Sequence, residues 1–206
     1  MKSIRPELHD LIGGFLCLDF ANTKNGHRGM IFHEVLFDYR DLVKWGFHIG
    51  ILVESESVAL RSKADEHPGE AELAFQKAIS LREVIFRIFS TLAGRAMPES
   101  GDLEALQAIN QESIENSQLI PDGKHFRYAF KNETALDRVT WSIANSAVEL
   151  LTSEMVERVR ECEGKDCDWL FIDNSRNHLR RWCSMEECGN RSKMRRRYVR
   201  QKKLSS

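Results

Sequence analysis

Four of the five cysteines lie within 27 residues of one another: Cys162, Cys167, Cys183 and Cys188. The spacing is C-x4-C, fifteen residues, then C-x4-C. Two close pairs separated by a loop of this length are the pattern of a zinc site. Zinc takes four soft ligands in a tetrahedron, and each close pair sets two sulfurs on one tight turn. Gly164, inside the first pair, eases such a turn. Four thiolates complete the shell and leave no position for water. The metal, one zinc per chain, is therefore expected to be structural rather than catalytic. Other readings of four cysteines are two disulfides, which need an oxidising compartment, four unrelated thiols, which have no reason to pair, and an iron–sulfur cluster. His178 lies between the pairs and could replace a cysteine, but beside a full set it reads as an exposed loop residue. The fifth thiol, Cys17, reads as a buried core residue.

The elements that must hold these sulfurs follow from the residues between them. Trp169-Leu170-Phe171-Ile172 reads as a strand after the first pair, Arg181-Trp182-Cys183 as the strand returning to it, and Asp173-Asn174-Ser175-Arg176-Asn177 as the turn-rich connection. Ser184-Met185-Glu186-Glu187 matches a capping box, so a helix is expected from Met185 with Cys188 in its first turns. Knuckle, hairpin and helix in this order are treble-clef-like. So short a module buries little apolar surface, and metal binding worth about 10–16 kcal/mol would supply most of its folding free energy.

Wound at about 100° per residue, the helix places Lys193, Arg196, Arg197 and Arg200 within one arc of about 100°. This face is expected to meet solvent and to contact phosphates, because guanidinium groups donate in pairs to phosphate oxygens. Cys188, Met194, Tyr198 and Val199 fall on the other side, and that small apolar side is expected to complete the module's own core. Arg191 and Arg195 share it, nearer the metal. Arg191 reads as structural, bridging carbonyls or a carboxylate such as Asp173; a place among the phosphate contacts is its alternative. Asp173, Trp182 and Ser184 complete the expected support of the module.

The charge of the chain, −1 over 206 residues, hides a split. Arg176 to Ser206 carries eleven Lys/Arg against two Asp/Glu, a balance of +9, and the preceding 175 residues carry 19 against 29, a balance of −10. An acidic body with a basic arm suits a polyanionic partner. A solvated tail with no partner is the plainer alternative.

Ahead of the cysteines, residues 1–158 read as one mostly helical domain, and 159–206 as the zinc module. Phe15-Leu16-Cys17-Leu18-Asp19-Phe20 is apolar and reads as a strand, followed by a turn at Ala21 to Gly26. Helices are expected from an Asp38 cap, over Ser57 to Glu66, from Pro68 to a stop at Gly94, over Asp102 to Ile114 and over Ala135 to Leu151. Gln118 to Pro121 and His125 to Phe130 flank Asp122-Gly123 and read as a hairpin. The fold class is mainly α with a small antiparallel β-sheet (α+β). Asn22, Thr23, Arg28 and His33, polar groups after an apolar run, could line a pocket for a small-molecule effector; the alternative is a turn in a scaffold or dimerisation domain that makes the chain a homodimer. No G-x-S-x-G, H-E-x-x-H or phosphate-cradling glycine loop occurs, so an enzyme is not expected. No run of about 18 apolar residues occurs, nor a signal-peptide core at the start, so no membrane partner and a cytoplasmic location are expected.

Cys188-Gly189-Asn190-Arg191 is the signature of the CGNR zinc-finger proteins, and its surroundings agree: Arg158-Val159-Arg160, Trp169-Leu170-Phe171, Asp173, Ser175-Arg176 and Arg181 to Met185. Leu16 to Thr23, Ile120 to Phe126 and Glu149 to Ser153 resemble the ABATE domain that accompanies that finger. The resemblance covers nearly the whole chain. It implies that Cys162, Cys167, Cys183 and Cys188 are the zinc ligands. It also implies a stress-induced bacterial transcription regulator whose finger binds nucleic acid. DNA is favoured over RNA; a structured-RNA-binding protein or a protein-interaction adaptor are the alternatives.

Overall fold

The computed structural model describes residues 11–26 and 33–204. Its spine is a long helix, and the sequence explains both ends of it. Pro68 occupies the first turn, where a missing N–H costs nothing, and Gly94 caps the end. Between them Ala71, Ala74, Phe75, Ala78, Leu81, Ile85, Ile88 and Phe89 recur at three- and four-residue steps and are buried. In chain order this helix is α4 (Pro68–Ala93). It follows α1 (Leu16–Ala21), a short β1–β2 pair (Lys24–Asn25 with His33–Glu34), α2 (Tyr39–His48) and α3 (Glu54–Glu66). After it come α5 (Ser100–Glu115), the hairpin β3 (Ser117–Asp122) and β4 (His125–Phe130), and α6 (Arg138–Thr152).

Caps appear where side chains can supply them. Asp38 accepts from the Asp41 amide at 2.9 Å at the start of α2. Ser153 accepts from the Met155 amide and opens a 3₁₀ turn over Glu154–Arg158. Asp122 pairs with His125 across Gly123 and Lys124, with Gly123 at φ +62°, the left-handed position that a two-residue hairpin loop needs.

Phe15 to Phe20 is not a strand. Leu16–Ala21 is a helix whose Cys17, Leu18, Phe20 and Ala21 are all buried. Six residues, four of them buried, are too few to show a helical period, and none of them is β-branched.

Beyond the 3₁₀ turn, β5 (Val159–Glu161) pairs antiparallel with β6 (Leu170–Ile172), Val159 opposite Ile172. The expected return strand at Arg181–Cys183 is absent, and β6 finds its partner before the first knuckle instead. Val159, Leu170 and Ile172 belong to the same buried core as α1, α4 and α6, whereas Phe171 turns the other way, into the cysteine cluster. The ladder therefore has one face in each of two cores. A π-helical turn (Met185–Gly189) and α7 (Asn190–Leu204) end the chain. Among the described residues no helix is long and apolar enough to cross a membrane.

Candidate metal centre

The four sulfurs of Cys162, Cys167, Cys183 and Cys188 all lie within 4.8 Å of one another. Cys183 Sγ is 3.7 Å from Cys167 Sγ and 3.6 Å from Cys188 Sγ. A tetrahedron with zinc–sulfur bonds of about 2.3 Å has edges of about 3.8 Å, so the spacing fits the ion. All four side chains are buried and none forms a disulfide. Hydrogen bonding among the sulfurs divides their ionisation: it pushes Cys162 down to about 7 and Cys188 lower, and raises Cys167 and Cys183. Four thiols this close cannot all ionise unless a cation sits among them. The four cysteines form a single structural zinc site. Bound there, the ion holds two knuckles together with a closed shell.

Backbone and side chains around the sulfurs are arranged for that shell. The amides of Gly164 and Cys183 each point at Cys162 Sγ from 3.4 Å. A Cβ on Gly164 would stand 3.1 Å from Cys167 Cβ, 3.3 Å from Cys188 Sγ and 3.4 Å from Cys162 Sγ, so a side chain there would crowd the first knuckle. Arg191 donates from Nη2 to Cys188 Sγ at 2.9 Å. Its partner here is a sulfur rather than the carbonyls or the Asp173 carboxylate that were expected. Such outer contacts to a ligand orient it and offset its charge.

The connection between the pairs is organised by Asp173, which is fully buried. Its carboxylate accepts from the Ser175 amide (2.9 Å), the Ser175 hydroxyl (2.6 Å) and the Arg180 amide (2.9 Å). Burial works against its ionisation, but these donors and the nearby Arg160 prevail and hold it below the usual carboxylate range. The residue that bridges carbonyls is Arg180. It donates to the oxygens of Trp182 and Cys183 and lies over the Phe171 ring at 4.4 Å. Sequence reading missed it, since nothing about an arginine in a basic run reveals which ring lies beneath it. Trp182 packs, half-buried, against the cysteine cluster. His178 is exposed at φ +51°, its ring against the Asp173 carbonyl, and is no ligand.

Ser184 accepts from the Glu187 amide at 3.3 Å and starts the helical segment. The Gly189 amide bonds to the Ser184 carbonyl, an i to i+5 step that makes the first turn wide. Cys188 sits in that turn, so the metal is tied to the root of α7. On α7, Lys193, Arg196 and Arg197 are exposed; Arg200 lies further along the same helix, its side chain outside the described part. Met194 and Tyr198 are exposed as well, which corrects the expectation that they complete the module's core. The core closes with Phe171, Trp169, Trp182 and Ile12, leaving α7 to project from the turn that starts it.

The candidate effector residues divide differently. Asn22 is buried, donates to the Leu170 carbonyl and accepts from the Leu170 amide, both at 2.8 Å, like a strand partner for β6. The same edge is held by Ile172 N donating to the Gly13 carbonyl, and by the Gly26 amide on the Asp168 carboxylate. Thr23 is buried, donates to the Phe20 carbonyl and accepts from Arg82, which also pairs with both Glu34 oxygens at 2.7 and 2.6 Å. Arg28 and the side chain of His33 fall outside the described residues. A groove of about 630 Å³ lies elsewhere, between the β3–β4 hairpin and α6, and neither Asn22 nor Thr23 lines it.

Fold and site together define a zinc-finger protein whose finger is seated on a helical body. A family model described as "CGNR zinc finger" matches residues 158–201, and one described as "ABATE: Putative stress-induced transcription regulator" matches residues 14–154. The chain belongs to the ABATE family, with a CGNR zinc finger at its C-terminal side. No curated protein matches it. The two families place it in the class of zinc-dependent regulatory proteins of nucleic acid.

Proposed function

We propose that this chain is a non-enzymatic, cytoplasmic transcription regulator of bacterial type that binds duplex DNA through the phosphates, using Lys193, Arg196, Arg197 and Arg200 of α7. The observation that carries the reading is the attachment of α7: a helix with Lys193, Arg196 and Arg197 in solvent, rooted at a metal ligand. A flexible basic tail would have to be ordered on binding, and ordering costs about 1–2 kcal/mol per residue for the backbone alone. A helix fixed at Cys188 has already met much of that cost. The acidic body disfavours wrapping by a polyanion and leaves the basic end to meet it. In the stress response that the family description names, the body would hold the finger and set its direction.

The test is a salt titration. With four to six phosphate contacts, affinity for a random duplex should fall by about two to three decades between 50 and 200 mM salt. A flat response would reject phosphate contact. Changing Arg196, Arg197 and Arg200 together to alanine should abolish binding and leave zinc content at one per chain. Unchanged binding by that variant would move the function away from α7. Competition with structured RNA of equal length then separates DNA from RNA, and a stronger competitor of RNA type would replace the DNA reading.

A further inference from the structure

The β3–β4 hairpin carries a face that none of the described residues covers. Register pairs Leu119 with Tyr128 and Pro121 with Phe126, so these four side chains share one side of the ribbon. Leu119 is 60% exposed, Phe126 70% and Tyr128 69%, and Pro121 is exposed too. Isolated exposed apolar residues are ordinary, but a contiguous patch on one element marks an interface. At the root of the ribbon the next residue on that side, Phe130, packs on Trp141 at 5.3 Å between ring centres. The apolar strip thus runs without a break from the core out to the tip. The sheet has only two strands, and neither outer edge is paired among the described residues. A two-stranded ribbon is marginal in water by itself and gains from a cover.

We propose that this face is where two copies of the chain associate about a two-fold axis. None of the four residues carries a charge at neutral pH, so a second copy of the same face can lie on it without burying one. A closed two-fold contact needs a self-complementary patch of this kind. The area is sufficient. A whole aromatic side chain covers about 150–250 Å². The exposed parts of Phe126, Tyr128 and Leu119 therefore offer about 400 Å² per copy. With Pro121 and the strand edges, the pair buries about 1,000 Å² in total, the threshold for a specific contact. Two α7 helices would then be carried by one particle. This goes beyond the nucleic-acid reading and does not depend on it, because its test contains no nucleic acid.

The test is sedimentation equilibrium of the full-length, zinc-loaded chain from 1 to 100 μM, a range chosen about a micromolar dissociation constant. The expected mass is twice that of one chain at the upper end. The variant Phe126→Ser with Tyr128→Ser should raise the dissociation constant by about a hundredfold or more, since interface aromatics are the usual hot spots. Zinc content and far-ultraviolet circular dichroism should not change, because both side chains face solvent in the monomer. Leu119→Lys, on the opposing strand, is the second variant and should weaken association alike. Leu73→Ser, 72% exposed on α4 and not part of the ribbon, should leave the dimer intact. A wild-type chain that stays monomeric at 100 μM overturns the proposal, as does a dimer that both ribbon variants leave unchanged.

Discussion

Replacing Asn22 by alanine probes how the finger is joined to the body. The side-chain amide of Asn22 makes two hydrogen bonds of 2.8 Å with the backbone of Leu170, 148 residues away in sequence. Asn22 is 7% exposed and Leu170 is fully buried, so water cannot replace the lost partner without opening the edge of β6. A buried donor or acceptor left without a partner costs about 1–3 kcal/mol. Two such groups give about 2–6 kcal/mol. In a chain of this length each kcal/mol corresponds to about 2–4 °C, so Tm should fall by about 4–24 °C. Urea unfolding of the zinc-loaded protein measures the free energy, and calorimetry measures Tm. Asn22→Asp should be worse than alanine, because it keeps the acceptor for the Leu170 amide but sets a buried negative charge against the Leu170 carbonyl. Amide exchange at Leu170 and Ile172 should quicken in both variants. A loss below about 1 kcal/mol for Asn22→Ala, with exchange at Leu170 unchanged, would refute the clasp.

Two further substitutions test the parts separately. Gly164→Ala places a methyl 3.1–3.4 Å from three cysteine side chains, and overpacking of about 1–3 kcal/mol should weaken zinc by about ten- to a hundredfold in a competition with a chelator; an unchanged affinity would show that the knuckle is slack. Asp19 is pushed up from 3.8 to about 6 by burial, against the Gly13 amide that it accepts. The native state then holds a proton that the unfolded chain has released, so stability should decline from about pH 4 to about pH 6 and level off above. Asp19→Asn keeps an acceptor for Gly13 and removes the buried charge, and should stabilise the protein at pH 7.5 by about 1–2 kcal/mol after allowance for partial solvent screening, with no gain at pH 4. An equal effect at both values would mean that ionisation of Asp19 is not the cause.

Much of the finger was legible because its chemistry is local. Spacing brought Cys162, Cys167, Cys183 and Cys188 together on paper, and Ser184 announced the helix start. The long helix α4 was equally plain, since one of its faces is buried and the other wet. The segment Leu16–Ala21 was not, because six mostly apolar residues are too few to show the period by which helix and strand are told apart. The partner of β6 was hidden for another reason. Val159–Glu161 is three residues long, too short to show alternation, and only the fold reveals that it lies beside Leu170–Ile172. Asn22 was singled out as a polar group after an apolar run, but its use is tertiary and 148 residues distant. The exchange of duties between Arg191 and Arg180 has the same origin: spacing identifies guanidinium groups, and only geometry assigns one to a sulfur and the other to two carbonyls.

The most direct test joins metal to binding in one experiment. The zinc content of the purified full-length chain is measured, then its affinity for a labelled duplex at 100 mM salt before zinc extraction, after it, and after zinc is restored. The expected result is one zinc per chain, a loss of affinity of about a hundredfold or more when the metal is removed, and recovery when it returns, because ordered attachment of α7 depends on the closed thiolate shell. A natively folded chain with almost no zinc, or one whose DNA affinity is the same with and without the metal, would contradict the claim that zinc holds the binding helix in place.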